Sequence, residues 1–206
     1  MTASHNTVGV ILAGGRARRM GGVDKTFVKL GGEALIARAM ARASLQVGEL
    51  LINANGDPSR FAKFGVPVFS DSIDGFLGPV AGILAGLEWM REHRPDARWL
   101  ASFACDCPFF PHDMVERLID KAQSENALVA VAASGEQHHP VFAVWNASIP
   151  ATSQGVLKDQ DMRKMDNFVA CFANTRVLFP SEPIDPFFNI NTPDDLQRAE
   201  MLLASN

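Results

Sequence analysis

VGVILAGGRARRMGGVDK, residues 8–25, joins a predicted buried strand to a loop rich in glycine and positive charge. The prediction of the fold starts from this stretch. Residues 8–12 form a short apolar run that ends at Gly14-Gly15, as a central parallel strand does. Glycine lets backbone N–H groups come close to a ligand, so glycines combined with cations suit a polyphosphate. The cations of this loop are Arg16, Arg18, Arg19 and Lys25.

Two common phosphate-binding loops do not fit this stretch. A P-loop ends in Gly-Lys-Ser/Thr, whereas two residues separate Gly22 from Lys25 here. The dinucleotide fingerprint G-x-G-x-x-G is broken by Gly14-Gly15-Arg16. A plain glycine-rich turn with solvated arginines is the alternative without a ligand, but so many glycines make a costly connection.

Strands and helices alternate along the chain, which predicts a mainly parallel sheet covered by helices on both faces. The predicted fold is a single three-layer, Rossmann-like α/β domain over residues 1–206. A short connection between the strands at 127–133 and 139–145 predicts an antiparallel pair, so the sheet is mixed. Further strands are expected at 49–54, 66–70, 98–104 and, at an edge, 171–179, with a short extended stretch at 187–191. Helices are expected at 33–45, 59–64, 79–93, 113–125, 149–168 and from 192 onward.

The composition and charge of the chain argue against several classes of protein. The net charge of −4 at pH 7 argues against general nucleic-acid binding. No apolar run approaches the roughly twenty residues of a membrane span, and the N-terminus MTASHNT lacks a charged-then-apolar signal segment. We therefore expect a cytoplasmic protein in which Cys105, Cys107 and Cys171 are reduced thiols.

Polar residues stand where predicted strands end. Asp106 follows a buried strand and precedes Pro108, which is where open α/β sheets place ligand-binding groups. Its carboxylate is a candidate Mg²⁺ ligand, because Mg²⁺ takes one or two protein oxygens and the rest from phosphate and water. A helix cap or turn is the alternative role for Asp106. Zinc is disfavoured, because the chain offers too few sulfur ligands at unsuitable spacing.

Three glycines, Gly78, Gly82 and Gly86, are spaced by four as the chain enters the helix that is expected to reach about His93, so they share one helical face. Each interior helical glycine costs roughly 1 kcal/mol relative to alanine, so the row indicates that something large lies against that face. That neighbour is either a ligand or the sheet itself, and both can hold at different glycines.

The C-terminal third offers further polar candidates. Asn189 and Asn191 lie two apart on an extended segment, so both face one side. Thr192 as N-cap and Pro193 as first helical residue then predict a helix start. His139 at a strand start is either a ligand-binding or a structural histidine. Solvated helix charges are the favoured interpretation of Arg163 and Lys164.

The motifs LAGGRARRMGGVDK, GPVAGI, CDCPFFP, HPVFAVW and NINTPDDL, in this order, cover nearly the whole chain. Together they resemble the nucleotidyltransferases with a Rossmann-like fold and, more narrowly, the molybdenum cofactor guanylyltransferases. LAGG is similar to the guanylyl-transferring branch, whereas cytidylyl-transferring relatives more often have LAAG. The resemblance implies transfer of GMP from GTP to the terminal phosphate of molybdenum-bearing molybdopterin, with Mg²⁺ as cofactor and molybdoenzyme-maturation proteins as partners.

The resemblance also implies roles for individual residues. Catalysis would involve Lys25, Asp106 and Arg19, with Asp106 as the Mg²⁺ ligand. The nucleotide would meet Leu12, Ala13, Gly14, Gly15, Lys25, Asn53, Asp71 and Asp106. The acceptor would meet Gly78, Gly82, His139, Asn189 and Asn191.

Other functions remain open from the sequence. These are a CTP-dependent molybdopterin cytidylyltransferase, a sugar-phosphate nucleotidyltransferase, and a non-catalytic nucleotide-binding regulatory module. A regulatory module would need the loop but not Asp106, so the presence of both favours an enzyme.

Overall fold

The computed structural model describes residues 3–14, 24–72, 78–150, 162, 164–182 and 184–204. The strands are β1 (Thr7–Leu12), β2 (Lys29–Leu30), β3 (Glu33–Ala34), β4 (Glu49–Asn53), β5 (Val68–Phe69), β6 (Trp99–Ala104), β7 (Val129–Ser134), β8 (Gln137–Asn146) and β9 (Asn174–Phe179). The α-helices are α1 (Leu35–Ser44), α2 (Pro79–His93), α3 (Met114–Ser124), α4 (Met165–Ala170) and α5 (Pro193–Ala204). Short 3-10 helices span Ala3–Asn6, Lys25–Phe27 and Pro58–Phe64.

The central sheet has seven strands in the order β5-β4-β1-β6-β8-β7-β9. Its pairs are parallel except for β8, which runs antiparallel to both β6 and β7. The carboxyl ends of the parallel strands and the amino end of β8 therefore share one edge, here called the carboxyl edge. The predicted α/β class and mixed sheet are confirmed.

Helices cover both faces of this sheet. Apolar residues of α1 and α3 pack with one face, and those of α2 and α4 pack with the other. A smaller cluster joins α5 to the β2–β3 hairpin through Leu30, Leu35, Ile190 and Ala199. The three-layer arrangement is the one that alternating strands and helices predict. Among the described residues, no helix combines the length and apolar character that a bilayer crossing requires.

Several boundaries differ from the sequence prediction. The helix expected from residue 33 begins at Leu35, because Glu33–Ala34 pair with Lys29–Leu30 as a hairpin. The strand expected at 66–70 is only Val68–Phe69, the part that pairs with β4. Residues 187–191 form no ladder with a described strand. Much of the helix expected at 149–168 falls on 151–161 and 163, outside the described residues.

The start of α5 has the predicted cap. Thr192 Oγ1 accepts a hydrogen bond from the Asp195 N–H at 3.2 Å. Asp195 Oδ2 accepts in return from the N–H groups of Thr192 and Asn191, each at 2.9 Å. This reciprocal capping satisfies free N–H groups at the helix start and fixes the backbone of Asn191.

Candidate active site

Three distant segments meet around Lys25 at the carboxyl edge. Lys25 opens its 3-10 turn behind Asp24, whose Oδ1 accepts from the Thr26 N–H at 3.1 Å. The Lys25 ammonium lies 2.5 Å from Asp106 Oδ2 and donates to Asn191 Oδ1 at 2.6 Å. Only 13% of the Lys25 side chain and 23% of the Asp106 side chain are exposed. The structure thus brings these three predicted residues together, and their chemical roles stay predictions.

The cysteines beside Asp106 are buried. Burial, followed by the nearby charge of Asp106, raises the pKa of the Cys105 thiol to about 12. The same causes raise the pKa of Cys107 well above its ordinary value. Burial thus favours the protonated thiol at both positions. The Cys107 Sγ–H donates to Asn189 Oδ1 at 2.9 Å, which places Asn189 next to Asp106.

A second cluster lies where β4 and β5 end. The Asn53 amide donates to Asp71 Oδ1 at 3.1 Å, and the Asn55 amide donates to Asp71 Oδ2 at 2.7 Å. Asn55 Oδ1 accepts from the Asp71 N–H at 3.0 Å. Asn53 and Asp71 were predicted for the site, but Asn55 was missed. The available signal was its spacing of two from Asn53, which puts both amides on one side of an extended segment.

The described start of the glycine loop lies against this cluster. The Ala13 N–H donates to the Asn53 carbonyl at 2.9 Å as the chain leaves β1 after Leu12. A methyl group at Gly14 would lie 3.7 Å from Asn55 Nδ2 and 3.8 Å from Asn53 Oδ1. The predicted residues Gly15 and Arg19 fall outside the described residues.

The glycine row on α2 faces the sheet at two positions. A methyl group at Gly82 would overlap Asn53 Oδ1 and come within 2.8 Å of Leu12 Cδ2. At Gly86 it would lie 3.1 Å from Leu100 Cδ2. Close helix-on-sheet packing, one of the two neighbours that the sequence allowed, therefore explains these two glycines, and the predicted contact of Gly82 with the acceptor substrate stays a prediction. Gly78 is exposed with φ of 82° before the helix, so its predicted contact with the acceptor stays a prediction.

His139 is buried among the protein's own groups. Its Nε2 lies 2.6 Å from Ser134 Oγ, and its ring stacks on Phe187 with centroids 4.6 Å apart. Ser134 Oγ donates in turn to Asp185 Oδ1 at 2.9 Å. Burial lowers the pKa of His139, with Asp185 opposing and His138 adding to the shift, so the neutral ring is favoured. The predicted substrate contact of His139 stays a prediction, and sequence reasoning missed Ser134 and Asp185.

Arg60 joins the Lys25 turn to the Asn55 segment. Its guanidinium lies 2.6 Å from Asp24 Oδ2 and donates to the Asn55 carbonyl at 3.3 Å. This residue was not predicted for the site, because a lone arginine on a short helix has no distinguishing sequence pattern.

The sequence model of the MobA-like NTP transferase domain matches residues 9–172. The chain belongs to this family. A protein of Rhodopseudomonas palustris named molybdenum cofactor guanylyltransferase is 48% identical over 95% of this chain and 93% of its own length. A Nitrobacter hamburgensis protein of the same name is 48% identical over 96% of this chain and 95% of its own length.

Solved structures of the MobA-like NTP transferase class agree with the fold. The crystal structure of molybdopterin-guanine dinucleotide biosynthesis protein A from Archaeoglobus fulgidus is 26% identical, with a TM-score of 0.71. It covers 97% of this chain, and this chain covers 100% of it. The family match ends before Asn189, so the geometry around Asp106 is what ties the 185–191 segment to the site.

Proposed function

We propose that this chain transfers GMP from GTP to the terminal phosphate of molybdenum-bearing molybdopterin and releases pyrophosphate, in molybdenum cofactor biosynthesis. The convergence of Lys25, Asp106 and Asn191 carries this proposal. The similarity to relatives named molybdenum cofactor guanylyltransferase supports it. The proposed setting is the cytoplasm, with molybdoenzyme-maturation proteins receiving the product.

The reaction needs no protein nucleophile. A terminal phosphate oxygen of molybdopterin attacks the α-phosphorus of GTP and forms the new P–O bond. The bond from the α-phosphorus to the oxygen shared with the β-phosphorus breaks, and pyrophosphate leaves with that electron pair. The attacking phosphate is ionised at neutral pH, so no strong general base is required. Burial raises the pKa of both thiols next to Asp106, which disfavours them as nucleophiles.

The donors around Asp106 fit a magnesium ion. Among the described residues, no group of three or more His, Cys, Asp and Glu side chains could hold a metal. A site of one carboxylate with neighbouring amide oxygen suits Mg²⁺, which keeps waters and takes substrate phosphate oxygens. Asp106 would hold the ion with Asn191 beside it. When bound, Mg²⁺ would neutralise negative charge on the phosphates.

Lys25 and the polar side chains of the site would have separate roles toward the two substrates. The Lys25 ammonium would leave its contact with Asp106 to stabilise the triphosphate charge that develops in the transition state. We call Lys25, Asn53, Asn55 and Asp71 the nucleotide half. We call His139, Asn189 and Asn191 the acceptor half, because they would bind the acceptor substrate, molybdopterin. The side-chain amides of the two asparagines offer both hydrogen-bond donors and hydrogen-bond acceptors to its pterin edge. Catalysis would thus depend on positioning and on charge neutralisation.

The test is incubation of the protein with each nucleoside triphosphate, Mg²⁺ and molybdopterin, followed by measurement of pyrophosphate and of the dinucleotide product. GTP-dependent release that requires molybdopterin is the expected result. Release with CTP alone would indicate a cytidylyltransferase, and release only with a sugar phosphate would indicate a sugar-phosphate enzyme. Nucleotide binding without any turnover would indicate a regulatory module. An Asp106→Asn variant is the control for metal-dependent turnover.

A further inference from the structure

We propose that Ser134, His139 and Asp185 are positioning residues that hold residues 185–191 against Asp106 and thereby set the place of Asn189 and Asn191. We call these three residues the Ser134 cluster. That Asn189 and Asn191 meet the acceptor rests on the proposed function, whereas the holding of the segment does not.

The Ser134 cluster joins three separate parts of the chain at the carboxyl edge. Ser134 is the last residue of β7, and only 3% of it is exposed. His139 lies on β8, where pairing with β7 shifts between Val131↔Ala143 and Ala132↔His139. Such an irregularity re-aims side chains at the rim of a sheet. Here the His139 ring meets both Ser134 and Phe187.

The protons of the Ser134 cluster can be assigned by counting donors. A serine hydroxyl has one proton, and an ionised carboxylate only accepts. The Ser134 hydroxyl donates its one hydrogen bond to Asp185 Oδ1, so Ser134 Oγ accepts a hydrogen bond from the Nε2–H of His139. This arrangement is not that of a nucleophilic triad, in which histidine lies between serine and carboxylate. A buried serine whose proton goes to a carboxylate is a support and not a nucleophile.

The contacts of Asp185 carry this support into the segment. Asp185 Oδ1 also accepts from the Phe187 N–H at 2.9 Å, and the Asp185 carbonyl accepts from the Phe188 N–H at 3.1 Å. The Phe187 carbonyl lies 3.4 Å from Cys107 Sγ. The Ile190 N–H donates to the Asp106 carbonyl at 3.0 Å. The segment is thus tied to the Ser134 cluster at its start and to Asp106 near its end.

The remaining side chains of the segment are placed for a ligand. Ile190 is fully buried, whereas Asn189 and Asn191 on either side of it are exposed. Loss of the Ser134 hydroxyl would remove the hydrogen-bond partner of His139 Nε2 and one of the two donors to Asp185 Oδ1. The start of the segment would then loosen, and the two amides would lose their fixed position beside Asp106.

The first experiment compares Ser134→Ala with Thr175→Val. Thr175 is the matched control, because it is also buried and its hydroxyl also donates to a carboxylate, that of Glu125. It lies near the amino end of β9, away from the carboxyl edge. We expect Ser134→Ala to raise the KM for molybdopterin about tenfold or more while the KM for GTP stays within about twofold. Thr175→Val should leave both KM values within about twofold.

The second experiment needs no activity and reports on the segment itself. Cys107 is 1% exposed beneath Phe187 and Asn189, whereas Cys171 is exposed. In a Cys171→Ser background, a thiol reagent followed by peptide mass spectrometry measures labelling at Cys107 and Cys105 separately. Ser134→Ala and Asp185→Ala should speed Cys107 labelling about tenfold or more. Asp185→Asn keeps an acceptor oxygen and should restore slow labelling.

The outcomes separate this proposal from the proposed function. Faster Cys107 labelling in a protein that shows no transferase activity would uphold the Ser134 cluster and reject the proposed function. If Ser134→Ala changes neither the rate of Cys107 labelling nor the KM for molybdopterin, the proposed role of the Ser134 cluster is overturned. Equal changes in Ser134→Ala and Thr175→Val would also overturn it, because they would show only a general loss of stability. If Ser134→Ala does not fold, Asp185→Ala decides by the same criteria.

Discussion

The nucleotide half contains a carboxylate that accepts from neutral donors, and the acceptor half has one beside it, but the two carboxylates have different surroundings. In the nucleotide half, both oxygens of the partly exposed Asp71 accept from the Asn53 and Asn55 amides. Beside the acceptor half, one oxygen of Asp185 accepts from buried Ser134 and from the Phe187 N–H. Asp71 can meet a ligand itself, whereas Asp185 is an anchor and the asparagines further along face outward. Substitutions in the nucleotide half should therefore act directly on a ligand, and those around Asp185 should act through the segment.

The largest effect should come from the residue between the halves. Asp106→Asn removes the charge that a hard cation needs and leaves Lys25 without its ion pair. We expect turnover to fall by at least about a hundredfold, measured as pyrophosphate release across a magnesium titration. Asp113→Asn, a nearby carboxylate on the α3 cap, is the control. Full activity with an unchanged magnesium requirement would place the metal elsewhere.

Lys25→Ala should follow in size and should act mainly on the nucleotide half. Loss of the ammonium removes charge stabilisation from the triphosphate, so turnover should fall roughly tenfold to a hundredfold. The affinity for GTP should weaken, and the affinity for molybdopterin should not. Calorimetric titration with each substrate measures this, with the exposed Lys29→Ala as control. Turnover within about twofold of the parent protein would reject the role of Lys25.

A pair of amide substitutions sharpens the comparison. Asn55→Ala removes a donor from Asp71, so it should weaken use of GTP. Asn189→Ala should weaken use of molybdopterin and leave GTP affinity near normal. Each loss should amount to about 1–3 kcal/mol in kcat/KM for the affected substrate. If Asn189→Ala loses GTP binding and keeps molybdopterin binding, the division into halves is wrong.

Substitution of Gly82 tests how closely helix α2 packs against Asn53 of the nucleotide half. A methyl group there would press on Asn53 and Leu12, so Gly82→Ala should lower the free energy of unfolding by about 1–3 kcal/mol. It should also weaken GTP binding through Asn53. Gly86→Ala is the milder control, because only the end of the Leu100 side chain must move. Thermal unfolding of both variants measures the difference, and a more stable Gly82→Ala would contradict the packing.

The smallest effect concerns pH and the Ser134 cluster. Burial lowers the pKa of His139 in the folded state, while Asp185 and His138 act on it in opposite directions. In the unfolded chain, His139 has its ordinary pKa of ~6.5 and therefore binds a proton more readily than in the folded protein. The contribution of His139 to stability should be complete above that pH and should decline as pH falls below it. Unfolding of the parent and of His139→Gln across this range measures the difference, and parallel pH profiles would contradict it.

The sequence predicted the candidate residues that stand at the ends of strands. Asn53 ends β4, and Asp71 and Asp106 come shortly after β5 and β6, and the carboxyl ends of such parallel strands meet at one edge. Asn55 was missed because Asn-Ala-Asn-Gly is also an ordinary turn. Ser134 and Asp185 are 51 residues apart, and their contact depends on β8 entering the sheet between β6 and β7. For Gly82 the choice between ligand and sheet stayed open, because spacing shows which residues share a face but not what that face contacts.

The reversed strand β8 has a consequence for engineering. Residues 7–104 supply the continuous parallel block β5-β4-β1-β6, and later residues supply β8, β7 and β9. Main-chain pairing joins the two blocks along one seam, which runs from Trp99↔Asn146 to Ser102↔Ala143. A chimera that keeps the first block and takes the second from another transferase has to match this strand seam, the packing of α5 on the β2–β3 hairpin, and the contacts of Lys25 with Asp106 and Asn191. The acceptor could thus be exchanged by recombination while the nucleotide block is inherited whole.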